Sequence, residues 1–488
     1  MMKILILCTI LFPIIMGLLF YKQNYKNDKS RNLFIISSTL ITSLLIVGMM
    51  FFNDHQIHHI ISLTDKLNIA FKVDGLSCVF LSLIALLWPL ATLYAFEYME
   101  HEKNKNRFFM FYIMTFGVVA GLASSGNLIT FYFMYECLTL VTLPLVTHSY
   151  DQRSLKAGRL YFMYSIFGAS MAFAGIMILY SGSSSLDFVY GGTLLQSANS
   201  NLMLIGYMLL FFGFGVKAAI FPFHGWLPRA GVAPTPVTAL LHAVAVVKAG
   251  VFAIMRVTYY CFGHMFLLGT WAQYVALVFA CITIVFGSSM ALKHQHLKKR
   301  FAYSTISNLS YILVAVVMMS EAGLLAALLH MLFHGITKIC LFFCAGAIIE
   351  KTHREYVYEI KGFGKKMPVV FMSMLVGACA LSGIPLFAGF VSKYAIAIGA
   401  VSMGNHFSLI VVLCLLLSAI LTAVYTFGIV VDGFIPPRDF DEKSLEGIQD
   451  PKWFMKGPLI ILCILMIVLG VSSDSLISGL SMIAQGLL

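Results

Sequence analysis

The chain has 488 residues, 60% of them hydrophobic and only 11% charged, against about 45–50% and about 25% in soluble globular domains. With a mean hydropathy of +0.90 it has far too much apolar surface to bury in water, which excludes a soluble enzyme. The formal net charge of +11 would suit a nucleic-acid patch, but the positions of the basic residues give it another meaning.

A helix needs roughly 20 apolar residues to cross the hydrocarbon core. Such stretches fall at 3–20, 33–52, 76–97, 108–125, 127–147, 159–180, 202–222, 235–257, 265–292, 302–320, 323–349, 368–399, 406–432 and 457–474. They predict an all-α polytopic membrane protein with about fourteen transmembrane helices. Lipid satisfies no backbone polar group outside a helix, and no period-two alternation argues for a barrel. The first stretch, Met1 to Phe20, has the length of a signal sequence without a small-residue cleavage site, and reads as an uncleaved first span.

Numbered in chain order, the odd loops hold 24 of the 32 basic residues, from Lys22, Lys26, Lys29 and Arg31 in the first to Arg438, Lys443, Lys452 and Lys456 in the last. The even loops and termini hold only Lys3, Lys66, Lys72 and Arg256. This asymmetry predicts odd loops in the cytoplasm and both termini on the outer side of the cell membrane. It also accounts for the positive charge without nucleic acid. Four basic residues remain, Lys217, Lys248, Lys338 and Lys393, and all lie inside spans, whereas no arginine is expected deep in one.

Spans 4–8 (108–257) and 9–13 (265–432) read as two copies of one five-helix unit, preceded by three spans in 1–107 and followed by a loop and last span in 433–488. Lys217 and Lys393 lie 176 residues apart. An odd number of helices per unit inverts the second copy relative to the first, as in many transporters. Pro222 follows Lys217, and Gly383, Pro385 and Gly389 precede Lys393, so spans 7 and 12 are expected to be discontinuous.

Glu136 falls in the middle of span 5. A carboxylate there costs about 2.5–3.5 kcal/mol on insertion scales, which makes it a functional candidate facing the bundle interior. Lys217 is its natural partner, either in a switchable pair or in a static one that fixes helix packing. On span 11, His330, His334 and Lys338 recur at i, i+4 and i+8, one helix face. Histidine and lysine both suit proton transfer, because histidine titrates near neutrality and a buried lysine readily changes charge. Lys248 extends the series, and His242 fits a packing role as well as a relay. The ten cysteines form no CxxC pair, so neither a metal site nor a redox cofactor is expected. No phosphate loop, nucleophile triad or cofactor fingerprint is present.

Several stretches together carry a resemblance. They are Val73-Asp74-Gly75-Leu76-Ser77; Phe214-Gly215-Val216-Lys217 through Phe221-Pro222-Phe223-His224-Gly225-Trp226-Leu227-Pro228; Leu241-His242-Ala243 and Val247-Lys248-Ala249-Gly250; Ala302-Tyr303-Ser304-Thr305; and Gly389-Phe390-Val391-Ser392-Lys393. Over roughly residues 70–430 the chain resembles the antiporter-like subunits shared by respiratory complex I, Mrp-type sodium/proton antiporters and energy-converting membrane-bound hydrogenases. The resemblance implies a subunit of a larger membrane complex, with a hydrated axis made here by Glu136, Lys217, Lys248, His330, His334, Lys338 and Lys393. It departs from the family pattern at Tyr135, where tryptophan is frequent, at His296, where an acid is usual, and at Asn308, where glutamine is usual. A long lateral helix after span 14 is not expected. Three functions follow: a proton-conducting subunit, a sodium/proton exchanger component that binds sodium at Glu136 or nearby carbonyls, and an inert membrane scaffold.

Overall fold

The computed structural model describes residues 2–487 apart from 24, 26, 63, 65, 66, 405 and 437–444. Lys26, Lys66, Arg438 and Lys443 therefore lie outside the described residues. Nineteen α-helices run in chain order among them. The first six are α1 (Met2–Lys22), α2 (Asp28–Phe51), α3 (Gly75–Tyr98), α4 (Lys105–Ala123), α5 (Leu128–Val146) and α6 (Gln152–Gly182). Next come α7 (Ser200–Gly215), α8 (Leu227–Ala230), α9 (Thr235–Ala243), α10 (Val246–Arg256), α11 (His264–Leu267), α12 (Trp271–Lys293) and α13 (Leu297–Val317). The remainder are α14 (Glu321–Thr352), α15 (Pro368–Ser382), α16 (Ala388–Ser402), α17 (His406–Phe434), α18 (Trp453–Val471) and α19 (Asp474–Ala484).

Twelve segments are long and apolar enough to cross a membrane, counting Thr235–Phe262 as one. The two other expected spans are the interrupted ones, α7 with the turns after it and α15 with α16. Span 8 is interrupted as well, at Val244–Ala245 between α9 and α10. A short antiparallel hairpin, β1 (His58–Ser62) and β2 (Asn68–Phe71), lies between spans 2 and 3.

The helices start where the sequence supplies a cap. Asn27, Asp74, Asn127, Asp151, Asn199, Thr270 and Ser320 each accept a hydrogen bond from the backbone N–H three residues on. Each bond satisfies a donor that the helix itself leaves free. Thr235–Phe262, α13 and α14 form the buried centre, while α1, α2, α17 and α18 expose most of their surface on the periphery. A central helix surrounded by protein can carry charge; a peripheral one faces lipid, and the intraspan lysines follow that division.

One central charge reads in the sequence as a loop residue. Arg256 ends α10 within the Thr235–Phe262 segment and is 1% exposed. It forms a two-pronged ion pair with Asp74 (Nη1–Oδ2 2.5 Å, Nη2–Oδ1 2.7 Å) and donates to Ser77 Oγ at 2.8 Å. Its placement in a loop is thus corrected: it lies in the last turn of α10, where Asp74, the cap of α3, neutralises the guanidinium. Removing one partner of such a pair strands the other charge. Arg256→Met is expected to destabilise the fold by about 3–5 kcal/mol, visible as a lowered thermal midpoint of the detergent-solubilised protein.

Candidate functional site

The candidate line begins on α5. Glu136 is half-buried there, with the exposed Phe133 and Leu140 on one side along the helix and the buried Thr139 on the other. Its Oε1 is buried without a hydrogen-bond partner. Lys217 lies in the turn after α7 and is 1% exposed. Its ammonium donates to the backbone carbonyl of Tyr135 and sits 3.3 Å from the centroid of the Tyr135 ring. No ion pair within 4.0 Å joins Lys217 to Glu136 among the described residues, although the two remain in electrostatic range. The direct contact is not made in this arrangement: adjacent side chains on a helix diverge by about 100°, and Lys217 approaches on the Tyr135 side.

The break beyond Lys217 is held on several sides. Trp226 Nε1 donates to Val216 O (2.8 Å), and Phe221 N donates to Thr283 Oγ1 (3.0 Å). Gly250 of α10 packs against the backbone itself. A Cβ there would lie 2.4 Å from Ala218 N and 2.9 Å from Lys217 C.

Lys248, fully buried on α10, meets His334 of α14, with 2.9 Å between Nζ and Nδ1. The interruption of span 8 falls between His242 and Lys248. On α14 the expected single face is realised: His330, His334 and Lys338 are all buried, and the two imidazoles stack at 5.8 Å. His330 Nδ1 lies 2.9 Å from Ser392 Oγ, whose chain neighbour is Lys393 on α16. The Nε2 atoms of both histidines are buried without partners.

Lys393 donates to Leu381 O at 2.6 Å, near the end of α15, and its ammonium lies 5.1 Å from the Tyr311 ring centroid. Backbone carbonyls near the interruption of span 12 therefore receive a lysine. A Cβ on Gly389 would collide with Ala380 O at 1.7 Å, so the two half-helices pass too closely for any other residue. Lys338 forms a side branch: it donates to Ser304 Oγ (2.6 Å) and Phe301 O (3.3 Å), and Tyr425 OH donates to the same Ser304 Oγ (2.6 Å).

The structure therefore brings Lys248, His334, His330 and Ser392 into one chain, and the Tyr311 ring, stacked on His330, links it to the Lys393 ammonium. Lys338 follows one turn along α14, and Lys217 and Glu136 form a separate cluster. Among the described residues no hydrogen bond bridges Lys217 to Lys248, or Lys338 to His334. His242 is buried with both ring nitrogens unpartnered, 4.7 Å from the Phe342 ring. Ser392, Ser304, Tyr425, Tyr135 and Tyr311 were missed as contacts because hydroxyl and aromatic residues abound in such spans. Ser304 and Ser392 did stand inside stretches singled out by sequence.

A cavity of about 910 Å³ opens between the odd loops, lined by residues that include His101, Glu102, His148, Lys298, Glu350 and His353. The odd loops thus share one face of the molecule. Lys298 on the cavity wall donates to Ala233 O (3.1 Å), just before α9. Among the described residues no three His, Cys, Asp or Glu side chains converge as metal ligands.

The family described as NADH:quinone oxidoreductase/Mrp antiporter, TM matches residues 125–421, and that described as NADH-Ubiquinone oxidoreductase (complex I), chain 5 N-terminus matches residues 61–109. The chain is 29% identical over 427 residues to a putative antiporter subunit mnhA2 of Staphylococcus aureus (strain MRSA252), covering 82% of this chain and 52% of the relative. It is 30% identical over 429 residues to the same subunit in strain USA300 / TCH1516 (83% and 52%). It spans about half the length of the curated relatives it matches. Its fold is similar to a chain of the membrane-bound sulfane sulfur reductase, an archaeal respiratory membrane complex (TM-score 0.86, 22% identity, 99% of this chain and 97% of that one). It is also similar to a chain of the Mrp complex from Dietzia sp. DQ12-45-1b (TM-score 0.82, 20% identity, 98% and 97%).

The close backbone contacts at the breaks give a direct test. Gly250→Ala and Gly389→Ala are each expected to destabilise by about 1–3 kcal/mol, as overpacked sites do. Thermal unfolding in detergent reads this, and Gly48→Ala, where a Cβ would meet open space, serves as the neutral control.

Proposed function

The chain belongs to the NADH:quinone oxidoreductase/Mrp antiporter family, and from that premise we propose that it conducts protons as one membrane subunit of a multisubunit ion-pumping complex. The relay is Glu136, Lys217, Lys248, His330, His334, Lys338 and Lys393, with His242 as a secondary member. The observation that carries this reading is the buried run Lys248–His334–His330–Ser392, with Lys393 reached across the Tyr311 ring that stacks on His330. Charges in such a place are expensive, and they persist where water and one another can stabilise them.

The chemistry follows from the donor and acceptor atoms. A lysine ammonium can pass a proton to a neutral imidazole nitrogen, and that imidazole can release one from its other nitrogen. The unpartnered Nε2 atoms of His330 and His334 and the unpartnered Oε1 of Glu136 are where bound water would complete the path. A proton arriving on one lysine raises the electrostatic energy of charge on its neighbours, which passes the disturbance along the line. Five-helix units over 108–257 and 265–432, the second inverted, would set the two broken spans in corresponding places.

Glu136 also argues for partners. Its side chain is only half-buried beside the exposed Phe133 and Leu140, and another membrane subunit packed on that face would complete its cover. We place the complex in the cell membrane with the odd loops in the cytoplasm, on the asymmetry of the basic residues. The second reading, a sodium/proton exchanger component, draws on the bare Glu136 oxygen as a cation ligand and on relatives named as putative antiporter subunits.

Proton uptake into inverted vesicles carrying the whole complex tests the relay. Lys217→Ala, Lys248→Ala and Glu136→Gln are each expected to lower uptake by about 100-fold, the low end for removing a proton-transfer group, with subunit assembly retained. Wild-type uptake in all three would leave only the scaffold. Uptake that requires a sodium gradient, abolished by Glu136→Gln, would favour the exchanger.

A further inference from the structure

Two lysines of the relay rest on tyrosine rings, in arrangements separated by one sequence interval. Tyr135 and Tyr311 are 176 residues apart, as are Lys217 and Lys393. The Lys217 ammonium lies 3.3 Å from the Tyr135 ring centroid and the Lys393 ammonium 5.1 Å from that of Tyr311. In each case the ammonium also donates to a backbone carbonyl, Tyr135 O for Lys217 and Leu381 O for Lys393.

Both rings are buried and fixed in place. The Tyr135 hydroxyl donates to Phe214 O (3.3 Å), in the same span as the lysine its ring faces, and its ring packs edge-on to Phe214 at 5.0 Å. The Tyr311 hydroxyl donates to Leu415 O (3.0 Å), and its ring stacks on His330 at 5.4 Å. Tyr311 thus lies against both Lys393 and the imidazole that contacts Ser392.

The acid is where the two halves differ. The residue 176 positions beyond Glu136 is Ile312. Lys217 has a carboxylate in electrostatic range, whereas among the described residues no carboxylate stands in electrostatic range of Lys393. An aromatic ring is the negative-faced group common to both lysines, and a ring face attracts an ammonium within about 6 Å.

We propose that Tyr135 and Tyr311 are positioning residues, paired aromatic platforms that hold the charged form of Lys217 and Lys393 during proton transfer, with Tyr311 acting where no acid helps. This rests on the proton-relay reading. The hydroxyls anchor the rings; the π-faces perform the function.

Proton uptake by the whole complex in vesicles, normalised to assembled subunit, tests it. Tyr135→Phe and Tyr311→Phe are expected to stay within about twofold of wild type. Tyr135→Leu should fall about fivefold and Tyr311→Leu further, because Lys393 lacks the compensating carboxylate. Wild-type uptake in both leucine variants, or phenylalanine variants as impaired as leucine ones, overturns the proposal; Tyr135→Leu being the worse overturns the asymmetry. Should the leucine variants not assemble, phenylalanines with increasing fluorine content at 135 and 311 keep the ring's shape while draining its negative face. Uptake should fall stepwise, and a flat series overturns the proposal. Lys217→Ala in parallel separates the failures: if it too is active, the relay itself is wrong, and if it is inactive beside unaffected ring variants, only the platforms are.

Discussion

Everything in this structure depends on how the fold accommodates cations in hydrocarbon. Four lysines and an arginine lie within spans, and each is met by something lipid lacks. Arg256 has a carboxylate with a hydroxyl beside it. Lys217 and Lys393 have carbonyls near interrupted helices and tyrosine rings. Lys248 has an imidazole, and Lys338 a serine already bonded to a tyrosine. The differences in partner match the differences in use. Arginine keeps its charge and receives a permanent counter-ion, while the lysines receive neutral or polarisable partners that tolerate a change of protonation.

Helix breaks follow from the same constraint. Carbonyls inside a helix already accept a helical bond, whereas the last ones of a helix have no partner within it. The interruption of span 12 puts such a terminal carbonyl, Leu381 O, within reach of Lys393, while Lys217, in the turns that interrupt span 7, reaches across to Tyr135 O of α5. Close packing has to make up for the lost helical bonds, and Gly250 and Gly389 allow it by letting backbones touch.

Much of this was legible in the sequence. Hydrophobic length located the spans, and isolated lysines stood out against an apolar background. Proline and glycine marked the breaks near Lys217 and Lys393, and the i, i+4, i+8 spacing placed His330, His334 and Lys338 on one face. Other features were not legible, for reasons of geometry. Val244–Ala245 interrupts span 8 with ordinary apolar residues and no proline or glycine. Arg256 read as a loop residue because its counter-ion, Asp74, lies 182 residues away in sequence. The contact of Lys217 with Tyr135 was not legible either, because composition says which residues share a membrane depth, while rotation about the helix axis decides which of two neighbours meets the cation.

One contrast remains between the two sides of the line. Three of its groups ride on α14, a single unbroken helix of 32 residues at the centre of the bundle. The lysines that face or flank them come from spans 7, 8 and 12, each jointed close to its lysine. A straight rod packed on all sides resists bending, whereas a joint turns at little expense. If the line conducts as proposed, a gap in it opens and closes by movement of the jointed segments, with α14 serving as the stationary rail past which they swing.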